Sequence, residues 1–154
     1  MVELDAYPLP DAEERALFDE LRAEACAFLR SHHWCRGIRR ELVGYAVGGV
    51  IGVFLMQLEP SPPADEWLWV VVGDVPSVYM VIDDIRDPCA ALEAYCELME
   101  HWIDAARTGG DLSKVFPVAA APTAEHADML ERRIAMIRES LLPDCRCDPA
   151  EADA

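Results

Sequence analysis

The stretch from Glu66 to Asp84, EWLWVVVGDVPSVYMVIDD, constrains the fold more than any other part of the chain. Two apolar runs flank a turn-forming Gly73-Asp74-Val75-Pro76-Ser77, and Asp83-Asp84 close the second run. Trp67, Val70, Val71, Val72, Val78, Tyr79, Val81 and Ile82 are β-branched or aromatic, the types that suit a pleated, half-buried surface. Gly73 and Pro76 sit poorly inside a central ladder, so they place a turn. The pattern predicts a β-hairpin with strands over 67–72 and 78–83. Alternation puts Trp67, Trp69 and Val71 on one face and Leu68, Val70 and Val72 on the other. Both faces are apolar, so both must be covered, or one must meet a partner. A hairpin alone is marginal in water and requires a third strand and a helical layer.

Flanking segments offer these. Asp11 and Glu14 have the form of a capping box at the start of a helix over 12–31, with Leu17, Leu21, Ala25 and Phe28 on one stripe. Ser31–Arg40, SHHWCRGIRR, reads as a connector with room for a short strand. Leu42–Leu58 is uncharged for seventeen residues, with Gly44, Gly48 and Gly52 at intervals of four. That spacing raises a membrane-spanning reading, but the length is at the lower edge for a span and glycine weakens a helix. A glycine-rich turn over 44–49 and a buried strand over 50–58 fit better, because the hairpin needs a sheet neighbour. Glu59–Asp65 is a proline-rich link. Asp87-Pro88 marks a helix start, and Cys89, Leu92, Cys96, Met99, Ile103 and Ala106 keep helical spacing to about residue 107. Asp111–Pro122 is an irregular crossing anchored by Phe116. Thr123 caps a last helix over 124–142 with Ala127, Leu130, Ile134, Ile137 and Leu141 inward, and Pro143 is expected to stop it. The polar tail 144–154 is expected to be disordered.

Charge bounds the partners. The net charge of −16 is spread over every segment except 31–58, which carries +2. Nucleic acid and anionic membrane surfaces are disfavoured, since both draw on clustered Lys and Arg. A basic protein partner is permitted, with plain solubility as the simpler account. The first residues, MVELDAYPLPDAEER, lack the pattern of a signal peptide. A cytoplasmic location is therefore expected, with all six cysteines reduced. Cys26, Cys89 and Cys96 then read as small buried hydrophobes.

The run WLWVVVGDVPSVYMVIDD, followed by DPCAALEAYCELMEHWIDA and VFPVAAAPTAEHADMLERRIAMI, resembles a family of uncharacterised bacterial proteins. These carry a W-x-W-V-V-x-G-D-x-P hairpin ahead of two helices. The resemblance spans roughly Phe54 to Pro143 and implies a shared fold. It implies no activity and no site residue.

Chemical signatures are sparse. His32, His33 and Cys35, joined by Cys145 and Cys147, could hold zinc through nitrogen and sulfur ligands, although the H-H-x-C spacing is unusual. A helix-terminal histidine pair explains the first two more simply, and no metal site is favoured. Asp83 and Asp84 could hold a divalent cation, but Asp74 lies about 30 Å of strand away at ~3.3 Å per residue and cannot join them. Turn and cap chemistry accounts for these acids. Trp67, Trp69 and Trp102 are core by default and interface anchors otherwise. As core, Trp67→Ala should cost ~3–5 kcal/mol. Ser77 and Ser113 have no nucleophile context, and His101 lies near Glu97, Glu100 and Asp104 on a solvated helix face.

The expected fold is a single α+β domain over 1–143, with a sheet of three to four antiparallel strands, one helix before it and two after it. The expected function is a non-enzymatic acidic module that binds a basic protein, of antagonist, immunity or adaptor type, with no cofactor. Trp67, Trp69, Asp83 and Asp84 are its candidate contact residues. The alternatives are a metal-binding protein or metal-dependent enzyme using His32, His33 and Cys35, and a structural homo-oligomer.

Overall fold

The structure is a computed structural model that describes residues 2–3, 11–59, 67–81, 85, 87–118 and 120–146. Its centre is an antiparallel sheet whose order follows the chain: β1 (Val2–Glu3), β2 (Ile38–Val47), β3 (Ile51–Leu58), β4 (Trp67–Gly73) and β5 (Val78–Val81). The hairpin is present as β4 and β5, with Leu68 opposite Val81 and Val71 opposite Val78. The expected strand over 50–58 is β3, and every one of its residues is buried.

Both sheet faces are covered, as their composition demands. Helix α1 (Ala12–Arg30) lays Phe18, Leu21, Ala25 and Leu29 on the face carrying Val43, Phe54, Met56, Leu68 and Val70. Leu17 and Phe28, expected at the centre of the stripe, flank it half-buried. Helices α2 (Pro88–Thr108) and α3 (Ala124–Met136) cover the opposite face, where Val53, Leu55, Trp69, Val71 and Met80 meet Leu92, Tyr95, Cys96, Met99 and Ile134. The caps read from sequence are in place: Asp11 accepts from Glu14 N–H, Asp87 from Ala90 N–H and Thr123 from His126 N–H. Gly109 closes α2 at φ +69°.

Three expectations need correction. The segment 31–40 was expected to be a connector with room for a short strand, and the turn to span 44–49. Instead β2 runs from Ile38 to Val47, and the turn is confined to residues 48–50, with Gly49 at φ +75°. The pairing register shifts between Val43 and Tyr45, so Gly44 sits in a bulge. The extra residue sends Val43 to the α1 face and Tyr45 to the α2 face, which hides the alternation that marks a strand. An ideal Cβ on Gly44 would stand 2.6 Å from Pro88 Cγ, so glycine lets α2 begin directly on the bulge.

Ahead of α1, strand β1 lies at the sheet edge, with Val2 paired to Val43 and Glu3 to Leu42.

Pro143 does not stop the last helix. After α3 the chain widens into a π-helical stretch, Ile137–Leu141, and resumes as α4 (Leu142–Arg146). Leu142 N–H bonds back five residues to Ile137 O, so the wide turn accommodates a proline that clashes with a regular ladder. Asp144, Cys145 and Arg146, expected in a disordered tail, are therefore helical and attached, while 147–154 lie outside the described residues.

Finally, the cysteines are not all reduced. Cys89 and Cys145 form a disulfide that joins the first turn of α2 to α4. Cys26, Cys35 and Cys96 are free. Among the described residues no helix is long and apolar enough to cross a membrane, and Leu42–Leu58 forms strands β2 and β3 with their turn.

Candidate functional site

The tryptophans separate into two environments. Trp69 is 1% exposed beneath α2, and its indole N–H donates to Ile85 O at 3.2 Å. Trp67 is half-buried at the start of β4, with the Arg40 guanidinium 5.6 Å from its ring centre. Trp102 is core. Asp83 and Asp84 lie outside the described residues.

His32, His33 and Cys35 face different neighbours. His32 Nδ1 donates to Phe28 O at 2.9 Å, which places the proton on that nitrogen. Its ring packs among Phe28, Trp34 and Tyr79, with centroids 4.8 to 5.0 Å away. Cys35 Sγ donates to Gly37 O, and His33 is exposed. Among the described residues no three His, Cys, Asp or Glu side chains are placed to hold a metal ion. Cys147, a fourth or fifth ligand in the sequence reading, lies outside them. Phe116 packs on Tyr79 at 5.6 Å, the anchoring role expected of it.

A pocket that the sequence did not reveal opens at the β4–β5 turn, with a volume of about 320 Å³. Its floor is apolar, built from Pro76, Trp102, Val118 and Leu130, and its polar groups are Asp74, His126 and Arg133. Gly73 makes the turn possible: at φ +136° an ideal Cβ would collide with the Val50 carbonyl oxygen. Tyr95 Oη donates to Pro76 O at 2.8 Å and fixes the turn from below. Burial is the leading reason that the Tyr95 phenol is pushed well above its ordinary range, so it remains a donor. The G-D-x-P pattern marked a turn, but the other walls come from Trp102 and from 118–133, and no local signal links those segments.

Two further polar clusters are structural. Glu41 receives Arg22 at 3.0 Å and the Cys26 thiol at 2.9 Å. Arg138 donates to Glu100 at 2.6 Å across the α2 seam, beside Cys96, whose thiol burial pushes up to about 12. Burial pushes both thiols up to about 12, which disfavours the thiolate that a cysteine nucleophile requires.

Compared with protein-family models, curated proteins and solved structures, the chain matches none.

Proposed function

We propose that this chain is a non-enzymatic, acidic protein-binding module that engages a basic partner through the outer side of α1. The supporting observation is a row of carboxylates with no counter-charge. Glu13, Glu20 and Glu24 fall on one stripe of α1, all are exposed, and none meets a cation among the described residues. The neighbouring arginines are already engaged, Arg15 with Asp19 and Arg22 with Glu41. Both sheet faces are covered, which leaves the helix surfaces to meet a partner. Such a field steers association with a positively charged protein and gives it salt dependence. An antagonist of a basic protein, an immunity-type protein or an adaptor fits this chemistry. Cytoplasmic residence belongs to the same proposal. The Cys89–Cys145 disulfide pulls against it, because such bonds persist chiefly in oxidising compartments.

The test is a pull-down with wild-type protein and with a Glu13→Lys, Glu20→Lys, Glu24→Lys variant. Basic partners should be retained at low salt, released as the screening length falls from about 10 Å at 0.1 M to 3 Å at 1 M, and lost in the variant. Neutral or acidic partners bound without regard to salt would overturn the reading. So would metal near one equivalent in untagged protein, which favours the His32, His33 and Cys35 alternative.

A further inference from the structure

The pocket at the β4–β5 turn plays no part in that reading, and its arginine sets it apart. Where arginines join one element to another, a carboxylate closes the fork. Arg22 meets Glu41, Arg138 meets Glu100, Arg146 meets Glu93, and Arg107 meets both Glu131 and Asp128, all at 2.6 to 3.2 Å. Arg133 is held differently. Its Nε donates to the backbone carbonyl of Asp74 at 2.8 Å and Nη1 to that of Met129 at 3.4 Å. The Asp74 carboxylate stands 3.5 Å from Nε, and its side chain is 73% exposed. A guanidinium carries five N–H donors, and Nη2, with two of them, has no hydrogen-bond partner among the described residues. Two carbonyls thus orient the group and leave an edge for an oxyanion. That is preorganisation, which reduces the ordering cost of binding.

The walls define what the anion is attached to. Pro76, Trp102 and Leu130 present carbon to the pocket, and Met129, 41% exposed, stands at its rim. His126 lines the same rim with Nδ1 donating to Ala121 O at 2.8 Å, which leaves Nε2 for a ligand. A volume of about 320 Å³ lies at the small end of the ligand-site range of about 300–1,000 Å³. The net charge of −16 repels anions in general and a second negative charge doubly. We propose that this pocket binds a small monocarboxylate with an aromatic or branched apolar body. Its carboxylate sits on the Arg133 Nη edge and its body lies against Pro76, Trp102 and Leu130.

Phenylacetate and its neutral isostere phenylacetamide test this on ¹⁵N-labelled protein by NMR titration. Phenylacetate should bind saturably and shift the Trp102 indole and Arg133 Nε–H signals. The amide should bind at least about tenfold more weakly, as loss of a charge-assisted hydrogen bond requires. Arg133→Gln should weaken phenylacetate by a similar factor. Ala120→Phe, at an exposed rim position, should also weaken it while leaving Arg133 in place. This variant decides the matter if the glutamine variant does not fold. Equal binding of acid and amide, unchanged affinity in Ala120→Phe, or no saturation by about 10 mM would each overturn the proposal.

Discussion

The Tyr45 hydroxyl donates a 2.6 Å hydrogen bond to the Asp144 carboxylate, joining residues 99 positions apart. The Tyr45 ring is 2% exposed in the core above β3, while Asp144 lies in the last helical turn. This bond and the neighbouring disulfide fasten the end of the described chain to the bulged part of β2 and to the start of α2. Tyr45→Phe keeps the ring and removes only the hydroxyl, so it should cost ~1–1.5 kcal/mol in urea unfolding. Arg146→Ala breaks an exposed pair with Glu93 and should cost ~0–1 kcal/mol. A larger effect at Arg146 would show that the ion pair, and not the hydroxyl, secures the segment.

The Cys89–Cys145 disulfide bridges residues 56 apart in sequence. Chain-entropy reasoning for a loop of that size gives about 4 kcal/mol, an upper figure because reduced chains retain structure. Purified protein, denatured without reductant, should therefore show at most four titratable thiols, the six cysteines less this pair. A Cys89→Ala, Cys145→Ala variant should melt at lower temperature and lose all sensitivity of its melting to dithiothreitol. Six thiols in protein isolated under acid quench would remove the bond from the native molecule.

Glu41 makes the α1–β2 contact responsive to acid. Burial raises the pKa of its carboxyl. Hydrogen bonds from Arg22 and Cys26, with the charges of Arg22 and Arg30, outweigh that and hold it below its ordinary 4.5. For Cys26 burial comes first, and the Glu41 hydrogen bond and charge add to it, pushing the thiol up to about 12. A carboxyl with a depressed folded pKa binds fewer protons folded than unfolded. Its stabilisation is present above the unfolded pKa and is lost as pH falls through the folded one. The gap in unfolding free energy between wild type and Glu41→Gln should thus be widest near neutral pH and shrink below about 4.5. A gap that stays constant through acid would detach Glu41 from the acid response.

What could be read from the chain followed from periodicity, and what could not followed from contacts between distant segments. The stripe Ala127, Leu130, Ile134, Ile137 and Leu141 is buried throughout, because helical spacing holds even across the π-turn. The two-faced apolar pattern of β4 was legible and required layers on both sides, which α1 and α2 provide. By contrast, β2 was obscured by its own bulge at Gly44, since one extra residue reverses the side-chain parity. Proline is a local stop signal, but the turn preceding Pro143 changed pitch to admit it. Cysteine pairing has no sequence signature, so Cys89 looked like an ordinary core thiol and Cys145 like a tail residue or zinc ligand. Of the proposed contact residues, Trp69 became core and Trp67 a rim residue. The Arg133 pocket went unseen because its walls come from three stretches of chain.

That division between the two tryptophans yields the sharpest packing test. Trp69 fills the space between β4 and α2, is 1% exposed, and donates its indole N–H to Ile85 O. Truncation there leaves a large cavity and an unpaired carbonyl, so Trp69→Ala should cost ~3–5 kcal/mol. Trp67 was expected to bear that cost, but it is half-buried, at the end of the strand, with Arg40 beside it. Its surroundings can relax toward solvent, and the lost cation–π contact is worth ~0.5–1 kcal/mol at an exposed site. Trp67→Ala should therefore cost ~1–2 kcal/mol, within the common range for point substitutions. Chemical unfolding of both variants with a shared m-value decides it. If the two costs proved equal, or Trp67 the larger, position 67 would have to be as deeply covered as position 69, and its place at the rim of the sheet would be wrong.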